Sequence, residues 1–248
     1  MAYQDWLFKD HPSGWRLRYR RQGGGYEASQ DGELWRPVPS VTQITGLLHK
    51  NLHEWAVGRV VEYLKGELVP GLPLTQGDVE RILEGARQAH RRASQRAAGR
   101  GGEFHAWAEG YLRGEDPPLP EGEPERRMAL DLKAWWEGSG GKAVRLEEAV
   151  FHPEHGYAGR TDLVARLGGK LWVVDLKTSP RAYPEHFLQV GAYALALEGE
   201  GLRVEGGLVL CLGDGASPVE VPLWEAAEAF LSLRRVWSFL ELLKGSSP

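Results

Sequence analysis

The sequence predicts an α/β fold: a central mixed β-sheet flanked by helices, drawn from the C-terminal half, with a helical N-terminal half. Three observations predict it. Between about residues 40 and 140 the apolar positions recur at helical spacing. After about residue 141 the pattern changes to period two and to short apolar runs. One helical stretch, about Tyr183–Leu197, separates those runs and suits a crossover to a parallel neighbour.

The elements follow in order. Trp15–Tyr19 alternates bulky with basic residues, and Gly23-Gly24-Gly25 separates it from Tyr26–Ser29, which reads as a hairpin ended by Pro37 and Pro39. Ser40 is a cap for a helix starting near Val41. Leu52, Trp55, Ala56, Val60 and Tyr63 mark a second helix, and Pro70–Pro73 a loop. Asp78 opens a further helix through Ala98; Gly101-Gly102 is expected to break or kink it before the helical period resumes over Phe104–Leu112. Asp116–Pro120 is a loop, and Pro124 suits the first turn of a helix ending near Gly138. Strands are expected at Arg145–Phe151, Arg160–Leu167, Leu171–Lys177, Glu205–Leu212 and Pro218–Pro222, with a closing helix over Trp224–Leu243. Gly168-Gly169 is a tight turn, so its two strands should pair antiparallel. The chain is expected to form one domain over 1–248, with a hairpin over 1–39, a helical part over 40–140 and a core over 141–248.

Composition narrows the function classes. The chain has 248 residues, 42% of them hydrophobic and 26% charged, as in ordinary soluble proteins. No run approaches the roughly 20 apolar residues of a membrane span, and the N-terminus carries no secretory pattern, so a cytoplasmic location is expected. The single cysteine, Cys211, excludes an internal disulfide, a cysteine-ligated zinc site and an iron–sulfur cluster held by this chain alone. It reads as a small core residue. A net charge of −4 argues against a large non-specific nucleic-acid surface but leaves local sites open. One asparagine, two methionines and frequent Arg and Glu suit a hot environment or the codon bias of a GC-rich genome.

The chemistry concentrates on Leu171–Lys177. The strand is apolar until Asp175 and Lys177, which sit two apart and share a face. Charges at the end of a buried strand need a partner or a metal. Across the Gly168-Gly169 turn, Asp162 can approach Asp175. Two close carboxylates repel unless one is protonated or a cation lies between them. A hard divalent cation such as Mg²⁺ resolves the repulsion, and the Leu176 carbonyl could add an oxygen.

The ordered set Gly159-Arg160-Thr161-Asp162, Val174-Asp175-Leu176-Lys177-Thr178 and Gln189-Val190-Gly191-Ala192-Tyr193 resembles the core of the PD-(D/E)XK nucleases, in the RecB-like branch. Gly102-Glu103-Phe104-His105 is similar to the histidine motif of that branch. Pro39-Ser40-Val41-Thr42, followed by Leu52 and Trp55, is like its bacteriophage and prokaryotic members. The resemblance implies a restriction-endonuclease-like core and hydrolysis of DNA phosphodiesters with Mg²⁺ or Mn²⁺. It implies His105, Asp162 and Asp175 as metal ligands beside the Leu176 carbonyl, with Asp162, Asp175 and Lys177 catalytic. Lys177 would position or deprotonate the attacking water, or stabilise charge on the phosphorane. Gln189 and Tyr193, one helical turn apart, would bind DNA or orient Lys177. An acidic residue at Glu147 or Glu148 also fits the family, and the sequence does not choose between them.

Other residues carry two readings each. Arg92, Arg96 and Arg100 form one helical stripe, either tracking phosphates or facing solvent. Arg16, Arg18 and Arg20 alternate on the hairpin as a second phosphate ridge. Glu109 either supports His105 or is solvated, and His152-Pro153-Glu154-His155 reads as a solvated loop despite its metal-like composition. The branch leans to exonucleases of recombination, repair or phage DNA processing. No helicase motif is present, so unwinding would fall to a helicase or recombination partner. A sequence- or structure-specific endonuclease on the same core, and a catalytically silent DNA-binding subunit, are the alternatives.

Overall fold

The computed structural model describes residues 6–20, 25–48 and 53–245. Gly23, Gly24 and Leu52, invoked above for a turn and a motif, lie outside them. The chain divides into two compact units, Met1–Leu48 with His105–Pro248, and His49–Phe104.

The first unit holds two sheets. One is mixed and five-stranded, in the order β5-β6-β7-β8-β9. These strands are β5 (Lys142–His152), β6 (Tyr157–Leu167), β7 (Lys170–Lys177), β8 (Gly206–Cys211) and β9 (Ser217–Glu220). β7 is central, antiparallel to β6 and parallel to β8. The β6–β7 turn is sharp because Gly168 and Gly169 both take left-handed φ, 56° and 82°, which a side chain would resist. Helix α5 (Pro184–Gly199) makes the parallel crossover from β7 to β8. It shares a core with Val173, Val209, Cys211 and Phe230, the last from α6 (Leu223–Gly245). α5 and α6 approach so closely at Gly191 that an added Cβ would stand 2.5 Å from the Ala227 nitrogen. The mixed sheet, its helices and the helical half match the predicted α/β class.

The N-terminal region differs from the expected hairpin. It forms a four-stranded antiparallel sheet of β1 (Leu7–Asp10), β2 (Arg16–Tyr19), β3 (Tyr26–Ser29) and β4 (Arg36–Val38). Pro37 lies inside β4 rather than ending the block; β4 is an edge strand, where a missing N–H is tolerated. The inner face packs Leu17 and Ala28 on Ala149, Phe151 and Ala158. Lys9 of β1 adds ion pairs to Glu148 (3.2 Å) and Glu200 (2.8 Å). The chain then enters α1 (Val41–Thr45) through a capping box, Ser40 accepting from the Gln43 N–H while the Gln43 side chain accepts from Ser40 N–H.

The remaining helices are α2 (His53–Glu67), α3 (Gln76–Leu112) and α4 (Glu123–Ser139). The expected break at Gly101-Gly102 is absent: α3 is one helix of 37 residues. Each glycine weakens a helix by only about 1 kcal/mol against alanine, less than the good helix formers around them supply. Within the second unit, Tyr63 of α2 lies against Gly85 of α3, Arg81 pairs with Glu67 at 2.7 Å, and Arg92 lies over the Tyr63 ring. Among the described residues, no helix is long and apolar enough to cross a membrane.

The solvated loop expected at His152–His155 is a turn with a buried start. His152 closes β5 at 9% exposure, stacks on Tyr157 and meets the His155 ring at 4.5 Å. Burial holds its imidazole low, at about 4, with His155 and His11 adding and Glu154 opposing. A histidine whose folded pKa is depressed takes up its proton first in the unfolded chain. Stability is therefore retained above about pH 6.5 and lost as pH falls from there toward 4. The melting temperature is expected to drop across that window, and less steeply in His152→Leu; equal slopes in calorimetric scans from pH 7 to 4 would refute this.

Candidate metal centre

The site forms where β5, β6 and β7 run side by side and the start of the His105 segment of α3 meets them. The β6–β7 ladder runs from Leu167↔Lys170 to Leu163↔Val174. Just beyond it the Asp162 Oδ2 accepts the Leu176 N–H at 2.8 Å, so a side chain satisfies the backbone donor there. A strand residue turns its N–H and C=O to the same edge, so the Leu176 carbonyl shares the edge beside Asp162.

On β5, Leu146 pairs with Leu163 and Glu148 with Thr161, which sets Glu147 opposite Asp162. Glu147 has φ 47°, the sole positive φ of a non-glycine residue among the described residues. Such a conformation is unfavourable for a side-chain-bearing residue and clusters at functional sites. The Glu147 Oε1 and Asp162 Oδ1 each lie 3.6 Å from His105 Nδ1. One ligand atom from each of His105, Glu147 and Asp162 falls within 4.8 Å of the others. Burial disfavours the imidazolium of His105, but Asp162 and Glu147 outweigh it and raise its pKa to about 9. Two carboxylates and an imidazole drawn this close, with positive charge favoured between them, fit a divalent cation.

Asp175 and Lys177 adjoin this group. The Asp175 carboxylate is 1% exposed, and Lys177 Nζ lies 2.9 Å from its Oδ1 and 2.7 Å from its Oδ2. Burial works against the Lys177 ammonium, but Asp175 and Asp162 more than offset it and hold its pKa above the ordinary value. Lys177 also donates to Gln189 Oε1 at 3.2 Å, and Gln189 Nε2 donates to the Tyr193 hydroxyl at 2.8 Å. Tyr193 is only 3% exposed, packed so tightly on Gly159 that a Cβ there would stand 2.5 Å from its ring.

The structure thus brings His105, Asp162, Asp175, Leu176, Lys177, Gln189 and Tyr193 together. It adds Glu147, left open against Glu148 in the sequence. Glu148 instead meets Lys9 and Arg145, each at 3.2 Å. Asp175 is absent from the three-donor group, its two oxygens both facing Lys177. Tyr193 has no exposed ring face to offer DNA directly. Arg92, Arg96 and Arg100 are exposed on α3 in the second unit. Arg92 donates to the Gly85 carbonyl at 2.6 Å. Arg16 and Arg18 pair with Asp10 and Glu27 on the N-terminal sheet, and Glu109 pairs with Arg113.

Comparison with known proteins agrees with this geometry. Residues 79–228 match the family described as the PD-(D/E)XK nuclease superfamily. The chain is similar to the crystal structure of SSO0001 at 17% identity, over 77% of this chain and 87% of that one, with a TM-score of 0.34. No curated protein matches the sequence.

Proposed function

Because the chain belongs to the PD-(D/E)XK nuclease superfamily, we propose that it hydrolyses DNA phosphodiesters with Mg²⁺ or Mn²⁺, as an exonuclease of the RecB-like branch. Recombination, repair or phage DNA processing is the setting this reading favours, with a helicase or recombination protein as partner. The convergence of His105, Glu147 and Asp162 beside Lys177 carries it.

In this reading His105, Glu147 and Asp162 hold the cation, with the Leu176 carbonyl on the same edge. A divalent ion there supplies Lewis acidity toward the scissile phosphate and the attacking water. Lys177, pinned by Asp175 and Gln189, offers positive charge and a proton donor to the phosphate. Asp175 fixes that ammonium through Oδ1 and is also a proposed ligand of the cation, its buried Oδ2 accepting no hydrogen bond. Gln189 and Tyr193 orient Lys177 through their hydrogen bonds. Arg92, Arg96 and Arg100 track the DNA backbone, and residues 1–248 work as one domain. The site needs no cysteine, so no iron–sulfur cluster is invoked.

The test is incubation of linear, circular and single-stranded DNA with the protein and Mg²⁺ or Mn²⁺, beside Asp162→Asn. The expected result is metal-dependent loss of linear DNA, with circles spared and the variant inactive. Discrete cuts in circles would instead favour an endonuclease. Intact substrates with both metals would refute the nuclease reading.

A further inference from the structure

Arg160 has no part in the chemistry above, yet it touches the cluster. It sits on β6 two residues before Asp162, on the same face of the strand. Its cross-strand partner is Ala149, which makes Glu147 its diagonal neighbour. The Arg160 Nε lies 2.9 Å from Glu147 Oε2, while Glu147 Oε1 is the oxygen turned to His105. The carboxylate is thereby divided: one oxygen is held by the guanidinium and the other faces the cluster. Division matters because Glu147 carries a left-handed backbone and a carboxylate that could otherwise rotate away.

The β6 segment leading to Arg160 is braced by residues 39–41, which lie outside the matched residues 79–228. The Ala158 N–H donates to the Pro39 carbonyl at 3.0 Å, and Ser40 bridges Ala158 in parallel. Gly159 faces Val41 and Tyr193. Tyr26 of β3 lies in the field of Arg160 and Glu147; burial pushes its phenol up to about 12, with Arg160 opposing and Tyr19 and Glu147 adding. The strand that carries Arg160 is thus fixed immediately upstream of it.

We propose that Arg160 is the positioning residue of the metal centre: its guanidinium holds Glu147 in the orientation in which Glu147, His105 and Asp162 converge on one cation. The inference rests on the metal-centre reading above. Partners that orient metal ligands typically change metal affinity by about 10–100-fold.

Mn²⁺ titration of the full chain, followed by loss of the free-ion electron paramagnetic resonance signal, tests it apart from activity. Arg160→Met is expected to weaken Mn²⁺ binding by about 10–100-fold, and Arg160→Lys to recover part of the loss. In a Glu147→Gln background, Arg160→Met should add no further loss, since the group it orients is no longer a charged ligand. Saturating Mn²⁺ should then return most of the cleavage rate of Arg160→Met. Unchanged affinity in a folded Arg160→Met overturns the proposal. So does additive loss in the Glu147→Gln background, or a rate that saturating metal does not restore, which would place Arg160 on the phosphate instead. If Arg160→Met does not fold, an Arg160→Lys affinity equal to that of wild type, combined with a Glu147→Gln affinity also equal to wild type, overturns it. A wild type that binds no Mn²⁺ fails the metal centre itself, whereas intact wild-type binding with unaltered variants fails Arg160 alone.

Discussion

Lys177→Met is expected to lower single-turnover cleavage of linear DNA by about 10²–10⁴-fold at saturating Mn²⁺. The reason is the position of the ammonium. Lys177 Nζ is held by Asp175 at 2.7 Å and by Gln189 at 3.2 Å, at the edge of the three-donor cluster. Methionine matches the length of the side chain but carries neither charge nor donor. Mn²⁺ affinity should change far less than the rate, because Lys177 is outside the group that would bind the ion. Lys177→Arg keeps the charge but spreads it over a planar fork that does not reproduce the ammonium geometry, so it should recover only part of the rate. A fall of less than tenfold in a folded Lys177→Met would remove Lys177 from the chemistry. Circular dichroism checks the fold, since the variant leaves Asp175 buried beside an apolar chain.

Gly191→Ala is the substitution expected to damage the scaffold most. A Cβ at this position would stand 2.5 Å from the Ala227 nitrogen, 2.7 Å from the Ala226 carbonyl carbon and 2.9 Å from the Ala226 Cβ. Two of these atoms are backbone, so relief requires α5 and α6 to separate. Overpacking of this kind destabilises by about 1–3 kcal/mol, which for a chain of this size is about 2–12 °C in melting temperature. The shift should also reach the site, because Gln189 and Tyr193 flank Gly191 on α5 and connect to Lys177. An unchanged melting temperature would show that the helices yield more easily than their packing suggests. Gly191 was legible in the sequence only as part of a motif, and its steric reason is visible only once α6 is in place.

That contrast describes how the sequence encoded the rest. The C-terminal core was readable because its signals are local. Gly168-Gly169 sets a turn, Leu171–Lys177 is a nearly unbroken apolar run, and the stretch after Pro184 has helical period. Asp162, Asp175 and Lys177 came from those same elements, and the resemblance added His105, Gln189 and Tyr193. Glu147 could not be chosen over Glu148, because the choice depends on the β5–β6 register and on a left-handed backbone at a residue that rarely adopts one. Asp175 read as a ligand because an acidic residue near Asp162 suggests a cation. The structure adds the opposing charge of Lys177, on the same strand face, as a partner of that carboxylate. The N-terminal sheet was half seen: β2 is legible by its alternation and β3 by the glycine turn before it. By contrast β1, Leu7-Phe8-Lys9-Asp10, does not alternate, and β4 carries Pro37, which reads as a stop. α3 was divided at Gly101-Gly102 because glycine is read as a stop, although the helix runs through both.

Pulsed electron paramagnetic resonance of bound Mn²⁺ tests the central claim most directly, because a coordinated imidazole nitrogen modulates the echo. The account predicts that wild-type protein binds Mn²⁺ with nitrogen modulation from one imidazole, and that His105→Phe loses that modulation and binds the ion more weakly. Mn²⁺ bound without nitrogen modulation, or modulation that survives in His105→Phe, would contradict a metal centre built on His105, Glu147 and Asp162.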